Sequence, residues 1–134
     1  SKIKHLNRLE QVLATSEITK KFPEIILCDQ NHNIIEGTAS NIFFIKKDTY
    51  YSPLIENCGV EGAMKSFIIK IMKKNKIKIK IKKIKEKEID SYEGAFFCNS
   101  IRLVWNIRSV DGVSYKKNNS ILKLIKIINN EIYK

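Results

Sequence analysis

The sequence is poor in the residues that tie small secreted domains together or that hold metals. Its three cysteines, Cys28, Cys58 and Cys98, are an odd number without C-x-x-C spacing, which argues against both a disulfide framework and a zinc site. His5 and His32 have no neighbours at metal-ligand spacing. We therefore expect no metal, and a reducing cytoplasm as the location of the protein.

Long apolar runs and the common catalytic motifs are also missing. No run approaches the roughly 20 apolar residues that cross a bilayer, and no apolar signal segment is present. No Ser-His-Asp, paired-carboxylate or Walker pattern is apparent. These absences predict a soluble protein without a membrane partner. The chain starts at Ser1 and not at Met, which favours an excerpt from a longer protein.

The composition that remains is that of a globular domain. A chain of 134 residues with 43% hydrophobic residues is long enough to bury a core without disulfides or a metal. We predict a single domain over residues 1–134.

The formal charge of +11 invites comparison with nucleic-acid-binding proteins. Many lysines, however, alternate with isoleucine in the segment 74–88. A half-buried strand there would place Ile77, Ile79 and Ile81 inward and the lysines in solvent. The charge is then mainly a solvated strand face, so a nucleic-acid partner is disfavoured, although a basic binding module stays as an alternative.

Hydrophobic periodicity and turn residues divide the chain into helices and short strands. The predicted elements, in chain order, are a helix at about 6–20, an antiparallel meander of strands at 24–29, 33–38, 41–47 and 49–54, a helix over 62–75, the Lys/Ile strand, a short helix or turn at 88–95, a strand pair over 95–110 interrupted at 98–100, a turn at 111–112, and a final amphipathic helix capped near Ser120. This order predicts an α+β fold, with an antiparallel sheet covered by helices.

Several polar residues stand where strands or helices begin or end, and each has a plain structural explanation as well as a chemical one. They are Lys4, Glu36, Gly59 and Gly62 with the helix amides around Ala63 and Met64 that follow them, and the segment 98–100. The plain explanations are that the lysine is solvated, that the glutamate is exposed, that the glycines precede an ordinary helix start, and that the segment 98–100 is a strand break. Together, a lysine, a carboxylate and a phosphate-binding helix start suggest pyridoxal phosphate.

The order and spacing of these residues resemble those of the fold-type IV pyridoxal-phosphate enzymes, the class IV aminotransferase family. The resemblance rests on the segments KHLNRLEQVLA from Lys4, EGTASNIFF from Glu36, YYSPLIENCGVEGAMK over 50–65 and FFCNSIRLV over 96–104. It implies the α+β pseudo-barrel of the large C-terminal domain of D-amino acid aminotransferase-like enzymes. Within the family, the KHLNRLEQV run is most similar to that of the aminodeoxychorismate lyases.

The resemblance also implies roles for particular residues. Lys4 would bond to the cofactor and later move protons, and Glu36 would pair with the pyridine nitrogen. The amides of Ala63 and Met64 would bind the phosphate, and the hydroxyl of Ser100 would support it. Arg102 would either contact a substrate carboxylate or be an ordinary surface residue, and we give the two interpretations similar weight. Asn41 would be a structural residue behind the site.

The reaction implied is the cleavage of 4-amino-4-deoxychorismate into 4-aminobenzoate and pyruvate, on the route to folate. A D-amino acid or branched-chain aminotransferase of the same fold is the alternative enzyme. Family members carry a further, smaller N-terminal domain and act as homodimers. We therefore expect a small-molecule substrate, a homodimer for the complete protein, and weak cofactor binding by this chain alone.

Overall fold

The computed structural model describes residues 24–55 and 62–133, together with the backbone of residues 2–5. The helix predicted at about 6–20 and the residues Cys58 and Gly59 lie outside these ranges. The bounds of the described strands and helices are β1 Lys2–His5, β2 Ile25–Cys28, β3 Ile34–Gly37, β4 Asn41–Lys46, β5 Thr49–Pro53, α1 Ala63–Lys74, β6 Lys78–Lys82, a 3₁₀ helix Glu86–Ser91, β7 Gly94–Asn99, β8 Leu103–Asn106, β9 Ser109–Val110, β10 Val113–Ser114 and α2 Asn119–Ile132.

The described strands form two main sheets and a short hairpin. One sheet has the order β1-β2-β3, the other the order β6-β5-β4-β7-β8, and β9 pairs with β10. The pairs β2–β3, β4–β5, β4–β7 and β7–β8 are antiparallel, so the α+β prediction with a mainly antiparallel sheet is confirmed. The predicted meander is interrupted, because β3 and β4 belong to different sheets.

The larger sheet is buried on both faces. Ile42 and Phe44 of β4 belong to an apolar cluster shared with the β2–β3 sheet, whereas Phe43 and Ile45 belong to a second cluster shared with both helices. A strand covered on both sides needs apolar residues at consecutive positions, which explains the run NIFFI. Phe43 stacks on Phe96 of β7 with ring centroids 4.9 Å apart.

The Lys/Ile strand departs from its prediction at Ile81, and the sequence had not predicted its pairing partner. β6 pairs parallel to β5, because α1 forms a crossover between them and returns the chain in the same direction. Ile79 is partly buried, but Ile81 is 53% exposed and does not point into a core. β6 is an edge strand, so Ile81 has a neighbouring strand on only one side.

The hairpin turn and the helix cap lie at or near the residues predicted for them. Asp111 and Gly112 have φ of 43° and 85°, the left-handed pair that a two-residue hairpin requires, and they join β9 to β10 as predicted. The cap of α2 is Asn118, whose side chain accepts a hydrogen bond from the Ile121 amide at 3.1 Å. The expected cap near Ser120 was thus two residues late, because Asn118 is the residue with extended backbone.

We predict that Tyr115→Phe lowers the free energy of unfolding by about 1 kcal/mol. The Tyr115 hydroxyl is buried and donates to the Ile89 carbonyl oxygen at 2.6 Å, so phenylalanine leaves that oxygen unpaired. Urea unfolding measures the change. Tyr50→Phe is the matched control, because the buried Tyr50 hydroxyl has no hydrogen-bond partner among the described residues. An equal loss in both variants would contradict the assignment.

Candidate functional site

Lys4 and Glu36 occupy one row of the smaller sheet. The register pairs Lys4 of β1 with Leu27 of β2, and Leu27 with Glu36 of β3. Neighbouring strands lie about 4.8 Å apart, so the two backbone positions are separated by roughly 10 Å across the central strand. The tertiary structure thus brings together two residues that are far apart in sequence.

A β-bulge determines the face of the sheet on which Glu36 lies. Leu27 pairs with Glu36, but the next residue, Cys28, pairs with Ile34, so Ile35 is an extra residue in β3. In a regular strand, Ile34 and Glu36 would share a face, and Ile34 belongs to the apolar cluster between the sheets. The bulge removes Glu36 from that apolar face. Glu36 is nevertheless only 8% exposed, which is unusual for a glutamate at a strand end.

The turn between β3 and β4 is held by a second buried carboxylate, which the sequence did not single out. Glu24 accepts a hydrogen bond from the Thr38 hydroxyl at 2.9 Å and from the Ala39 amide at 2.8 Å. A Cβ on Gly37 would collide with the Ser40 hydroxyl and with the Glu24 carboxylate, so a larger residue there would displace one of these side chains. The turn therefore fixes the positions of Glu36, before it, and of Asn41, after it.

We predict that Glu24→Ala lowers the free energy of unfolding by about 2 kcal/mol, and that Glu24→Gln lowers it by about half as much. Alanine leaves a buried hydroxyl and amide without their acceptor, whereas glutamine retains an acceptor oxygen and loses only the charge. Urea unfolding of both variants gives the comparison. The same loss in both variants would mean that the charge, and not the acceptor, accounts for the whole effect.

The start of α1 lies against the start of β4. Gly62 is the N-cap residue, and a Cβ there would meet the Asn41 side-chain oxygen at a distance that real Cβ atoms do not show. The first turn of α1 contains no acidic residue, and no side-chain hydrogen bond caps it. Ala63 is exposed and Met64 is partly buried. The unpaired amides at the start of α1 therefore carry partial positive charge, which favours an anion there.

Lys65, in the first turn of α1, is another residue that sequence reasoning left out of the site. It is only 5% exposed, and a buried ammonium is retained in a protein only where its charge is compensated. Burial raises the pKa of Cys98 to about 12, although the charge of nearby Lys65 lowers it. The signal was available, because Lys65 ends the G-x-M-K signature.

The buried thiols are poor nucleophiles. Burial and, secondarily, the charge of Glu86 raise the pKa of Cys28 to about 12, and Cys98 has a similarly raised pKa. Both thiols are free. A thiol with such a pKa is protonated at neutral pH, so neither residue is suited to covalent catalysis.

The β7–β8 turn approaches the β3–β4 turn from the neighbouring strand. The Asn99 side chain donates to the Ala39 carbonyl oxygen at 2.9 Å and accepts from the amides of Ile101 and Arg102 at 3.0 and 2.7 Å. This arrangement places Ser100, which is exposed, in a turn tied to the turn after Glu36. The predicted interruption of the strand pair is thus an ordered turn.

Arg102 contacts an aromatic ring. Its guanidinium carbon lies 4.1 Å from the centroid of the Trp105 ring, and the side chain is exposed. A stacked guanidinium keeps its hydrogen-bond donors free for a carboxylate, and it also packs well on a protein surface. The two interpretations of Arg102 both fit this geometry.

Neither a three-residue cluster of metal-binding side chains nor a membrane-spanning helix is found among the described residues. Within residues 24–55 and 62–133, no three histidine, cysteine, aspartate or glutamate side chains come close enough to hold a metal ion. No helix in these ranges is long and apolar enough to cross a membrane.

The chain belongs to the amino-transferase class IV family, whose model matches residues 1–110. The resemblance to fold-type IV enzymes is thereby confirmed.

Among curated relatives, the chain is 26% identical over 116 residues to the aminodeoxychorismate lyase of Vibrio harveyi, covering 86% of this chain and 42% of the relative. It is 31% identical over 90 residues to the probable branched-chain-amino-acid aminotransferase of Rickettsia felis, covering 67% of this chain and 31% of the relative. The chain therefore spans less than half the length of these relatives.

Solved structures show the same fold. The 4-amino-4-deoxychorismate lyase of Pseudomonas aeruginosa superposes with a TM-score of 0.86 at 26% identity, over 95% of this chain and 47% of that chain. An aminotransferase from Brucella abortus, bound to the cofactor PLP, superposes with a TM-score of 0.79 at 14% identity, over 84% of this chain and 40% of that chain. The fold is thus common to a lyase and to an aminotransferase that holds pyridoxal phosphate.

Proposed function

We propose that this chain is the cofactor-binding part of a pyridoxal-phosphate-dependent enzyme. The observation that carries the proposal is the row Lys4–Leu27–Glu36, in which a bulge removes a buried carboxylate from the apolar face. A carboxylate buried in the same row as a lysine can contact the same ligand as that lysine. The family to which the chain belongs supports the same cofactor.

The residues present fit the chemical groups of pyridoxal phosphate. Its aldehyde needs an amine, for which we propose Lys4, and its pyridine nitrogen needs an acid partner, for which we propose Glu36. Its phosphate needs backbone donors, for which we propose Ala63 and Met64, with the Ser100 hydroxyl as support. The start of α1 suits an anion because its first turn contains no acidic residue and Gly62 has no side chain to fill the space beside Asn41.

When bound, the cofactor withdraws electrons from the carbon that carries the substrate's amino group. The residues of the chain would do the rest. Glu36 would keep a proton at the pyridine nitrogen, where its burial strengthens the interaction. Lys4 would take up and return protons at the reacting carbon, and a cationic surrounding favours the neutral amine that this role needs.

We further propose aminodeoxychorismate lyase as the activity. The proton on the ring carbon bearing the amino group is lost, the carbon–oxygen bond to the three-carbon side chain breaks, and the ring becomes aromatic. The departing unit takes up a proton and becomes pyruvate, and 4-aminobenzoate remains. The lyase relatives of Vibrio harveyi and Pseudomonas aeruginosa and the KHLNRLEQV run support this choice.

A branched-chain aminotransferase is the second candidate. The Rickettsia felis relative has a higher identity to this chain than the Vibrio harveyi lyase has, 31% against 26%, although over a shorter segment. An aminotransferase would use the same Lys4 and Glu36, and its product would be a keto acid. In either case we propose a cytoplasmic homodimer that acts on a small molecule. The chain covers 42% of the Vibrio harveyi relative, so the substrate pocket of a complete enzyme would include residues outside this chain.

The experiment that tests the function measures the products formed by the complete protein. The protein, loaded with pyridoxal phosphate, is given 4-amino-4-deoxychorismate in one assay and leucine with 2-oxoglutarate in another. Formation of 4-aminobenzoate supports the lyase, and formation of glutamate supports the aminotransferase. A protein that binds no pyridoxal phosphate and instead binds duplex DNA in a salt-sensitive manner would refute both enzymes in favour of the basic module.

A further inference from the structure

A cavity of about 380 Å³ lies at the end of the domain opposite to the proposed cofactor site. It adjoins the turn between β4 and β5 and the residues that follow α1, whereas the cofactor site adjoins the start of both β4 and α1. The 12 residues of α1 span about 18 Å, so the two regions are well separated. The volume is at the lower end of the roughly 300–1,000 Å³ typical of small-molecule sites.

The walls of the cavity combine apolar and cationic side chains. Ile77, Leu124 and Ile127 form an apolar wall. Lys76, Lys78 and Lys123 surround the opening and are exposed. A site of this composition suits a molecule with an apolar body and a negative charge at one end.

One of the residues that line the cavity is a tyrosine with a buried hydroxyl. Tyr50 lines the cavity and is 3% exposed, and its hydroxyl has no hydrogen bond within the part of the chain that the structure describes. Burial and the charge of Asp48 raise the pKa of Tyr50, so the hydroxyl keeps its proton and is available as a donor. Buried donors are normally paired in native proteins, as Tyr115 is with Ile89.

The charges around the opening are predominantly positive. Among the described residues, Lys76, Lys78 and Lys123 have no ion-pair partner, whereas Lys74 of α1 pairs with Glu131 of α2 at 3.0 Å. Asp48 is the one acidic residue that lines the cavity within the described ranges, and its carboxylate lies 3.4 Å from the Ser120 hydroxyl. The cavity therefore has an excess of positive charge at its opening.

We propose that this cavity binds a small organic monocarboxylate whose apolar body contacts Ile77, Leu124 and Ile127 and whose carboxylate lies among the three lysines and accepts from Tyr50. Neighbouring atoms cover the Tyr50 hydroxyl. Binding therefore includes a movement of neighbouring side chains that uncovers it. The proposal does not depend on the function proposed for the opposite end of the domain.

The test uses 4-fluorobenzoate as the probe and ¹⁹F NMR to measure its affinity for the intact protein. Saturating pyridoxal phosphate occupies the proposed cofactor site throughout. We expect saturable binding that Lys123→Gln weakens about two- to fivefold, as for an exposed charge pair. We expect Tyr50→Phe to weaken it about tenfold, as for a hydrogen bond to a charged group.

Two controls, one variant and one ligand, accompany these measurements. Lys126→Gln removes a charge from the same helix, on the turn that follows Lys123 and outside the cavity, and must leave the affinity unchanged. 4-Fluorobenzyl alcohol, which has the ring without the charge, must bind at least about tenfold more weakly. Equal effects of Lys123→Gln and Lys126→Gln, equal binding of the alcohol, an unchanged affinity in folded Tyr50→Phe, or no saturable binding would each overturn the proposal.

Discussion

Lys4→Ala is expected to abolish the visible absorbance band that the protein forms with pyridoxal phosphate, and to lower 4-aminobenzoate formation by at least about 10²–10⁴-fold. Alanine has no amine to bond to the cofactor or to move protons. Lys4 belongs to the row that contains Glu36, so its loss removes one of the two groups proposed to act on the cofactor. Absorbance spectra and a product assay on the complete protein measure both effects.

Lys2→Ala is the matched control, because Lys2 lies in the same strand and pairs with Ile25, two positions away from the row of Lys4. We expect it to keep both the band and the activity. The thermal midpoints of the two variants should agree, since both lose the same side chain from β1. A visible band that persists in Lys4→Ala would assign the cofactor's amine to another lysine and would remove the basis of the proposed site.

Gly62→Ala is expected to raise the dissociation constant for pyridoxal phosphate at least about tenfold and to lower the free energy of unfolding by about 1–3 kcal/mol. The backbone of Gly62 has φ of −76°, which alanine adopts freely. The cost arises from the new Cβ, which would collide with the Asn41 side-chain oxygen. The collision displaces either Asn41 or the start of α1, where we propose that the phosphate binds. Titration with the cofactor and urea unfolding measure the two effects.

Two variants separate this collision from a general effect of replacing glycine. In an Asn41→Ala background, Gly62→Ala should cost about 0.5–3 kcal/mol less, because the colliding atom is gone. Gly112→Ala is the control for backbone strain, since a Cβ there would have no neighbour within 4 Å but φ is +85°. It should lower stability by about 1 kcal/mol and leave cofactor affinity unchanged. A Gly62→Ala variant with normal affinity would place the phosphate elsewhere.

Much of the fold could be predicted from local pattern. The helices at 63–74 and 119–132 follow from apolar spacing, and the hairpin at Asp111 and Gly112 follows from turn chemistry. The family could be predicted as well, since its motifs are contiguous segments. These features depend on interactions between residues close in sequence, which is why the sequence reveals them directly.

Other features depend on the partner of each strand. The alternation of lysine and isoleucine predicted that Ile81 points inward, but the edge position of β6 leaves Ile81 53% exposed. The parallel pairing of β6 with β5 follows from the crossover through α1 and not from any residue within the strand. The buried state of Glu24 and Lys65 likewise reflects what packs around them, which the composition of their own segments does not specify.

For the residues proposed for the site, too, the sequence determined some features and the tertiary structure determined others. The sequence by itself determined the chemical groups available, Lys4, Glu36 and the glycine before α1, and their order in the chain. Only the tertiary structure decided that Lys4 and Glu36 share a row and that Gly62 abuts Asn41. For Glu36 the physical reason is the register of β3 with β2: Ile35 is an extra residue in β3, so Glu36 does not share the face of Ile34. For Gly62 it is the packing of the start of α1 against the start of β4.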